Sequence, residues 1–208
     1  QDMFYCVCPN DKAFGLFQNY GVKEDVEPER CVSINQNDAL GLEEAQCLLR
    51  YDPGIVQSAW ARRYHGQRLY SLCGVAHASA SATAMEMVGS YLLAPLQPWD
   101  ALICPSNAIR NAIHSIIEAW ELYFKERFGK KIACPLELPI IPLGVDTAKF
   151  AKLVSGEKRT QQRKMLGITD NEIVLLYVGR LNYLAKSNPL PLLIAGQEAA
   201  ARTGGDGL

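Results

Sequence analysis

Short apolar runs alternate with longer amphipathic stretches all along this chain, and that alternation does most to narrow the folds open to it. Strands that alternate with helices are joined by crossovers, and crossovers build parallel sheets with helices packed on their faces. Met3 to Val7, Val32 to Asn35, Leu69 to Val75 and Ala101 to Cys104 read as strands. Leu42 to Arg50 and Ile55 to Tyr64 read as helices on either side of the Asp52-Pro53-Gly54 break, and Ala80 to Leu93 as a third. The longest amphipathic stretch is Ser106 to Phe128. Its apolar residues Ile109, Ile113, Ile116, Ile117, Trp120, Tyr123, Phe124 and Phe128 share one helical stripe, with Ser106 placed to cap the start and Gly129 the end.

Leu138 to Leu143 carries two prolines, so it suits a short strand outside the middle of a sheet, running into the turn Gly144-Val145-Asp146. The crossing between two domains is placed here, with residues 1–140 as a first Rossmann-like domain and 141–208 as the start of a second. A basic helix over Glu157 to Leu166 follows. Glu172 to Val178 then reads as a strand buried on both faces, and Asn188 to Arg202 as a helix. The expected class is α/β.

Composition removes several functions from consideration. The 208 residues are 49% hydrophobic and 21% charged, enough for one large core or two small ones. A net charge of -1 supplies no global field for a nucleic-acid backbone, so no nucleic-acid partner is expected. No apolar run reaches the ~18 residues of a membrane span, and the expectation is a cytoplasmic chain with no transmembrane segment, peripheral membrane contact staying open. The seven cysteines are scattered and odd in number, which suits reduced core thiols. Cys6 and Cys8 share a strand face, but no second pair completes a zinc set, and no metal is expected. The opening at Gln1 and the Gly-rich close at Gly204 to Leu208 read as those of a fragment.

In open parallel sheets ligands lie beyond the carboxyl ends of the strands, which singles out Gly74 to His77, Gly144 to Asp146, and Gly179 to Lys186. Arg180 and Lys186 flank the start of a helix, a placement that suits the adjacent charges of a diphosphate. Pro189 and Pro191 lack N–H groups, so the side chains rather than the helix start would do the binding. By themselves these two cations read as solvated surface charges at a loop. His77 reads either as a site residue or as a neutral histidine bonded to a backbone carbonyl. His65 and His114 read as exposed. Neither a Gly-rich dinucleotide fingerprint, a phosphate loop, a GxSxG elbow nor an Asp-x-Asp is present, which lowers oxidoreductase, kinase and hydrolase readings.

Three ordered segments carry a resemblance: Cys104-Pro105-Ser106-Asn107-Ala108-Ile109-Arg110; Ile141 to Asp146 with Phe150; and Leu175 to Leu181 with Lys186. In that order and spacing, over roughly Tyr70 to Ala200, the chain resembles family 4 glycosyltransferases. The resemblance implies a GT-B-like fold, with a Rossmann-like sheet domain followed by the truncated start of a second. It implies transfer of a sugar from a nucleotide diphosphate sugar to an acceptor, without metal or other cofactor and with retention. Arg180 and Lys186 would contact the donor diphosphate, His77 would act at the sugar, and Gly144, Asp146 and Gly179 would lie near the cleft. The family's Gly-rich loop after its first strand and the Glu-x7-Glu element that lies far into its second domain have no counterpart at those places here, and Ser187-Asn188-Pro189 stands where a glycine commonly follows the lysine. Those departures motivate the alternative of a non-catalytic Rossmann-like binding module. A GT-B-like epimerase or phosphorylase stays open as a third reading.

Overall fold

The computed structural model describes residues 2–35, 38–77, 81–153, 156–179 and 188–203. The chain divides into two compact units, Gln1–Leu143 and Gly144–Leu208.

The first unit is mixed α/β with two short parallel sheets. Strand β1 (Phe4–Val7) pairs with β2 (Cys31–Ile34), Phe4 opposite Cys31 and Val7 opposite Ile34. The crossover between them is helix α1 (Asp11–Lys23), started by Asn10, whose side chain accepts from the Ala13 N–H. Helix α2 (Ala39–Ala45) follows, with Asp38 accepting from the Gly41 N–H. The second sheet has the order β3 (Cys47–Leu49), β4 (Ser71–Val75), β5 (Ala101–Ile103), all parallel. Helix α3 (Val56–His65) joins β3 to β4, while α4 (Ala82–Gly89) with a short 3-10 turn at Ser90–Leu92 joins β4 to β5. Such short loops and helical crossovers make the arrangement compatible with a Rossmann-like sheet.

Beyond β5 runs α5 (Asn107–Phe128), capped at its start by the Ser106 hydroxyl, which accepts from the Ile109 N–H, and closed by Gly129 at φ 69°. The chain then returns alongside β5. Glu137 and Ile140 form parallel bridges to Ala101 and Cys104, and the carbonyls of Glu137 and Pro139 accept from Leu102 and Cys104 at 2.8 Å. Pro139 contributes its acceptor and needs no donor, which is how a proline-bearing segment lies against a strand at a sheet edge.

The core lies between this sheet and its helices. Ile55, Leu72, Leu102, Cys104, Tyr91, Val88 and Ile113 are all fully enclosed. The α5 stripe is narrower than the sequence suggests: Ile113, Ile117 and Phe124 are buried, but Tyr123 and Phe128 are exposed. Where α4 meets α5 the contact is so close that a Cβ on Gly89 would stand 2.2 Å from the Trp120 indole. One polar feature is set within this core. Arg62 and Asp100, both with no solvent exposure, form a two-pronged ion pair at 2.7 and 2.6 Å. Asp100 also accepts from the Leu72 and Gln97 N–H groups, and Arg62 donates to the Tyr70 carbonyl. The pair therefore ties α3 to the amino ends of β4 and β5.

In the second unit, α6 (Thr147–Leu153), α7 (Gly156–Met165) and α8 (Leu190–Thr203) are the described elements. No described helix is long and apolar enough to cross a membrane.

Two expected elements differ. Leu42 to Arg50 is not one helix: the helix ends at Ala45, Gln46 turns into the left-handed region at φ 62°, and Cys47–Leu49 pairs with β4. The ladder wins because it satisfies backbone groups of Gln46 and Arg50 that would otherwise end a helix, with Ser71 donating to the Gln46 carbonyl and Arg50 to that of Cys73. Glu172 to Val178 is not a buried strand. Among the described residues it joins no ladder, and Ile173 and Val178 are 89% and 83% exposed. An apolar run becomes a buried strand only when neighbouring strands take its backbone groups, and none is described in this unit. Helix α1 carries no buried residue and two internal glycines, so its sequence pattern is weak.

Candidate functional site at the carboxyl edge of the second sheet

Because β3, β4 and β5 run parallel, their carboxyl ends open on one edge, and the residues that follow them are brought together there. After β3 comes a folded loop. Arg50 places Nη2 3.1 Å from the Asp52 carboxylate, and the other carboxylate oxygen accepts from the Gly54 N–H at 2.6 Å. The Pro53 carbonyl accepts from the Tyr91 hydroxyl at 2.6 Å, so the loop is tied to the core. The backbone closes the arrangement, with Val75 donating to Asp52 and Ala76 donating to Ile103. Gly74 sits where a Cβ would be 3.0 Å from the Asp52 carbonyl, which is why this strand carries no side chain at that point.

His77 stands two residues past β4 and is exposed. Its Nδ1 lies 3.4 Å from the Val75 carbonyl. The other ring nitrogen, Nε2, is left for a ligand. Partial burial alone would raise the Asp52 pKa. The Arg50 fork, the Gly54 N–H and the charge of His77 outweigh it and hold the carboxyl below the usual aspartate range. Asp52 is thus an anion within electrostatic reach of His77. Burial pushes the Tyr91 hydroxyl well above the ordinary phenol range, so Tyr91 holds the loop as a neutral donor.

The end of β5 adds Cys104, Ser106 and Arg110. Burial raises the Cys104 thiol, while the nearby Arg110 guanidinium pulls it down. The Arg110 Nε is shielded from solvent with no hydrogen-bond partner among the described residues. Ser106 is occupied as the α5 cap. This edge therefore presents one imidazole, one carboxylate and two guanidinium groups around three strand ends.

The remaining expected site residues are distributed differently. Gly144 and Asp146 belong to the second unit, where the Asp146 carboxylate accepts from the Lys149 N–H at 2.8 Å and starts α6. Gly179 is exposed; a Cβ there would meet the Tyr177 hydroxyl at 2.9 Å. Arg180 and Lys186 lie outside the described residues. His65 and His114 are exposed. At the other sheet, the Cys6 and Cys8 sulfurs are 3.1 Å apart and both thiols are free; burial, then the bond with Cys8, pushes Cys6 up to about 12. Among the described residues no three His, Cys, Asp or Glu side chains converge as a metal set.

Arg50 and Asp52 were not singled out in the sequence, because Arg50 stood inside an expected helix and Asp52 in its break. The apolar run Cys47-Leu48-Leu49 before a polar turn fits a strand end, but it also continues the helical pattern that precedes it, so it does not by itself mark Arg50 and Asp52. Set against family models, curated proteins and solved structures, the chain matches none.

Proposed function

We propose that this chain belongs to a glycosyltransferase of GT-B type that moves a sugar from a nucleotide diphosphate sugar to an acceptor, with retention. The observation that carries the reading is the order of three segments, Cys104 to Arg110, Ile141 to Phe150, and Leu175 to Lys186, each matching the resembled family at the same place along the chain. The parallel β3–β5 edge supports it, since His77 and Arg110 stand at strand ends where an anionic sugar donor would be met. In this reading Arg180 and Lys186 neutralise the departing diphosphate, charge stabilisation of the kind that dominates many group transfers. Arg110 adds positive charge at the first-unit edge, and His77 donates a hydrogen bond to the transferred sugar. Asp52 holds His77 in a favourable field. No Asp-x-Asp is encoded, so cationic side chains carry the phosphate charge.

The test is transfer from labelled UDP-, GDP- and ADP-hexoses by the full reading frame that contains this chain. Arg180→Ala and Lys186→Ala are each expected to cost on the order of 100-fold in kcat, the scale of losing one donor to a developing oxyanion. Full activity in either variant overturns the mechanism.

A second reading is a binding module without turnover. It is favoured by one observation, the exposed apolar run from Ile173 to Val178, which suits burial against another polypeptide. Sedimentation of the 208-residue chain separates the two: self-association or partner capture that ends with Leu176→Ser supports the module, and a monomer at high concentration argues against it.

A further inference from the structure

The amino edge of the same sheet, opposite the His77 end, carries a second feature. A groove of about 620 Å³ opens there, lined by Glu43, Gln46, Arg68, Leu69, Tyr70, Ser71 and Trp99. Its volume falls within the range of small-ligand sites. The two ends of β4 are about 13 Å apart at the usual strand rise, so the groove is separate from the edge described above.

Three observations bear on what it holds. Trp99 is a large, flat side chain left 42% exposed, and the Arg68 guanidinium stands over its ring at 5.7 Å. The wall beside it mixes apolar groups of Leu69 and Tyr70 with polar ones and is balanced in charge, with Glu43 offsetting Arg68 and with the amide of Gln46 and the hydroxyl of Ser71 nearby. Gln46 itself is a residue other than glycine in the left-handed region at φ 62°, at a helix end where glycine is the cheaper choice. The floor is held rigid. The buried Arg62–Asp100 pair anchors the Tyr70 carbonyl, the Leu72 N–H and the Gln97 N–H, which sets the strand start and the Trp99 loop together. A buried ion pair is a weak stabiliser but a good way to select one geometry, and a pre-set groove loses less entropy on binding.

We infer that this groove is a binding site for a neutral oligosaccharide. A sugar ring offers an apolar face to an indole and a rim of hydroxyls to planar amide, carboxylate and guanidinium groups. The balanced charge disfavours an anion or a cation, and the hydrogen-bonding side chains of Glu43, Gln46, Arg68 and Ser71 disfavour a lipid chain. The site does not depend on the transferase reading, since it lies at the opposite strand ends and requires no donor.

The experiment is saturation-transfer NMR on the full chain with maltohexaose, cellohexaose, laminarihexaose and, as the anionic comparison, hexagalacturonate. Transfer to at least one neutral hexasaccharide is expected, with Trp99→Ala weakening its Kd about tenfold, the scale of one lost aromatic contact. Trp60→Ala is expected to leave Kd unchanged: Trp60 is 46% exposed and pairs with Arg63 at 5.8 Å, but it lies outside the groove. Gln46→Gly suits the left-handed backbone, so it keeps the fold while weakening binding several-fold. The inference is overturned by no transfer to any neutral sugar, by transfer confined to hexagalacturonate, or by Trp99→Ala and Gln46→Gly both binding as the parent does. No turnover enters this measurement, so its failure leaves the transferase reading standing, and the Arg180 and Lys186 variants leave the groove untested in turn.

Discussion

Asp52 and His77 show what single side chains contribute at the carboxyl edge. The Asp52 carboxyl titrates below its unfolded value, so it contributes stability above the ordinary aspartate pKa of about 3.9, and that contribution is lost as pH falls through the lowered folded value. Asp52→Asn is therefore expected to lower the melting temperature at pH 7. The gap from the parent should begin to close below about pH 4 and vanish only once pH has fallen through the lowered folded value, where the parent's carboxyl is neutral too. Calorimetry from pH 2 to 7 checks this, and a constant gap would mean that the Arg50 fork and the His77 charge do not favour the anion. His77 was legible from its place after an apolar run. Asp52 was not, because nothing local in Asp52-Pro53-Gly54 distinguishes a loop on a strand end from a break between helices.

At the scale of elements, α4 and α5 meet closely, and Gly89 is the point of contact. Adding a methyl group beneath the Trp120 ring forces the helices apart or the indole off its rotamer, and overpacking of this kind costs about 1–3 kcal/mol. Gly89→Ala should fall in that range by urea denaturation, whereas Gly144→Ala, with nothing near its Cβ position, should change stability little. Ser106→Ala should cost about 1 kcal/mol through loss of the α5 cap. Helix α5 was readable to within one residue because its stripe, cap and terminal glycine agree. Strand β3 was not, since Cys-Leu-Leu after Glu-Glu-Ala-Gln continues a helical pattern until the pairing with β4 interrupts it. Agreement among local signals marks the elements that sequence determines.

For the first unit as a whole, the Arg62–Asp100 pair joins distant parts of the chain inside the core. Removing only the guanidinium strands a fully buried carboxylate, so Arg62→Ala should cost about 3–5 kcal/mol, while Arg62→Met with Asp100→Asn, which removes both charges and keeps a side-chain oxygen for the Leu72 N–H, should cost less. Chemical denaturation of both variants checks this; equal losses would mean that the pair acts through packing alone. Alternating apolar runs and helical stripes, read from the residues alone, determined an α/β chain with parallel strands and placed His77 after a strand. Periodicity is a property of neighbouring positions, and those positions are all present in the sequence. Only the tertiary structure decided that Cys47–Leu49 is a strand, that Glu172 to Val178 forms no described ladder, that Arg50 and Asp52 meet the end of β4, and that a buried ion pair sets the Trp99 groove. Each of these depends on which distant backbone or charge arrives as a partner. Arg62 and Asp100 stand 38 residues apart, and no local pattern encodes their meeting.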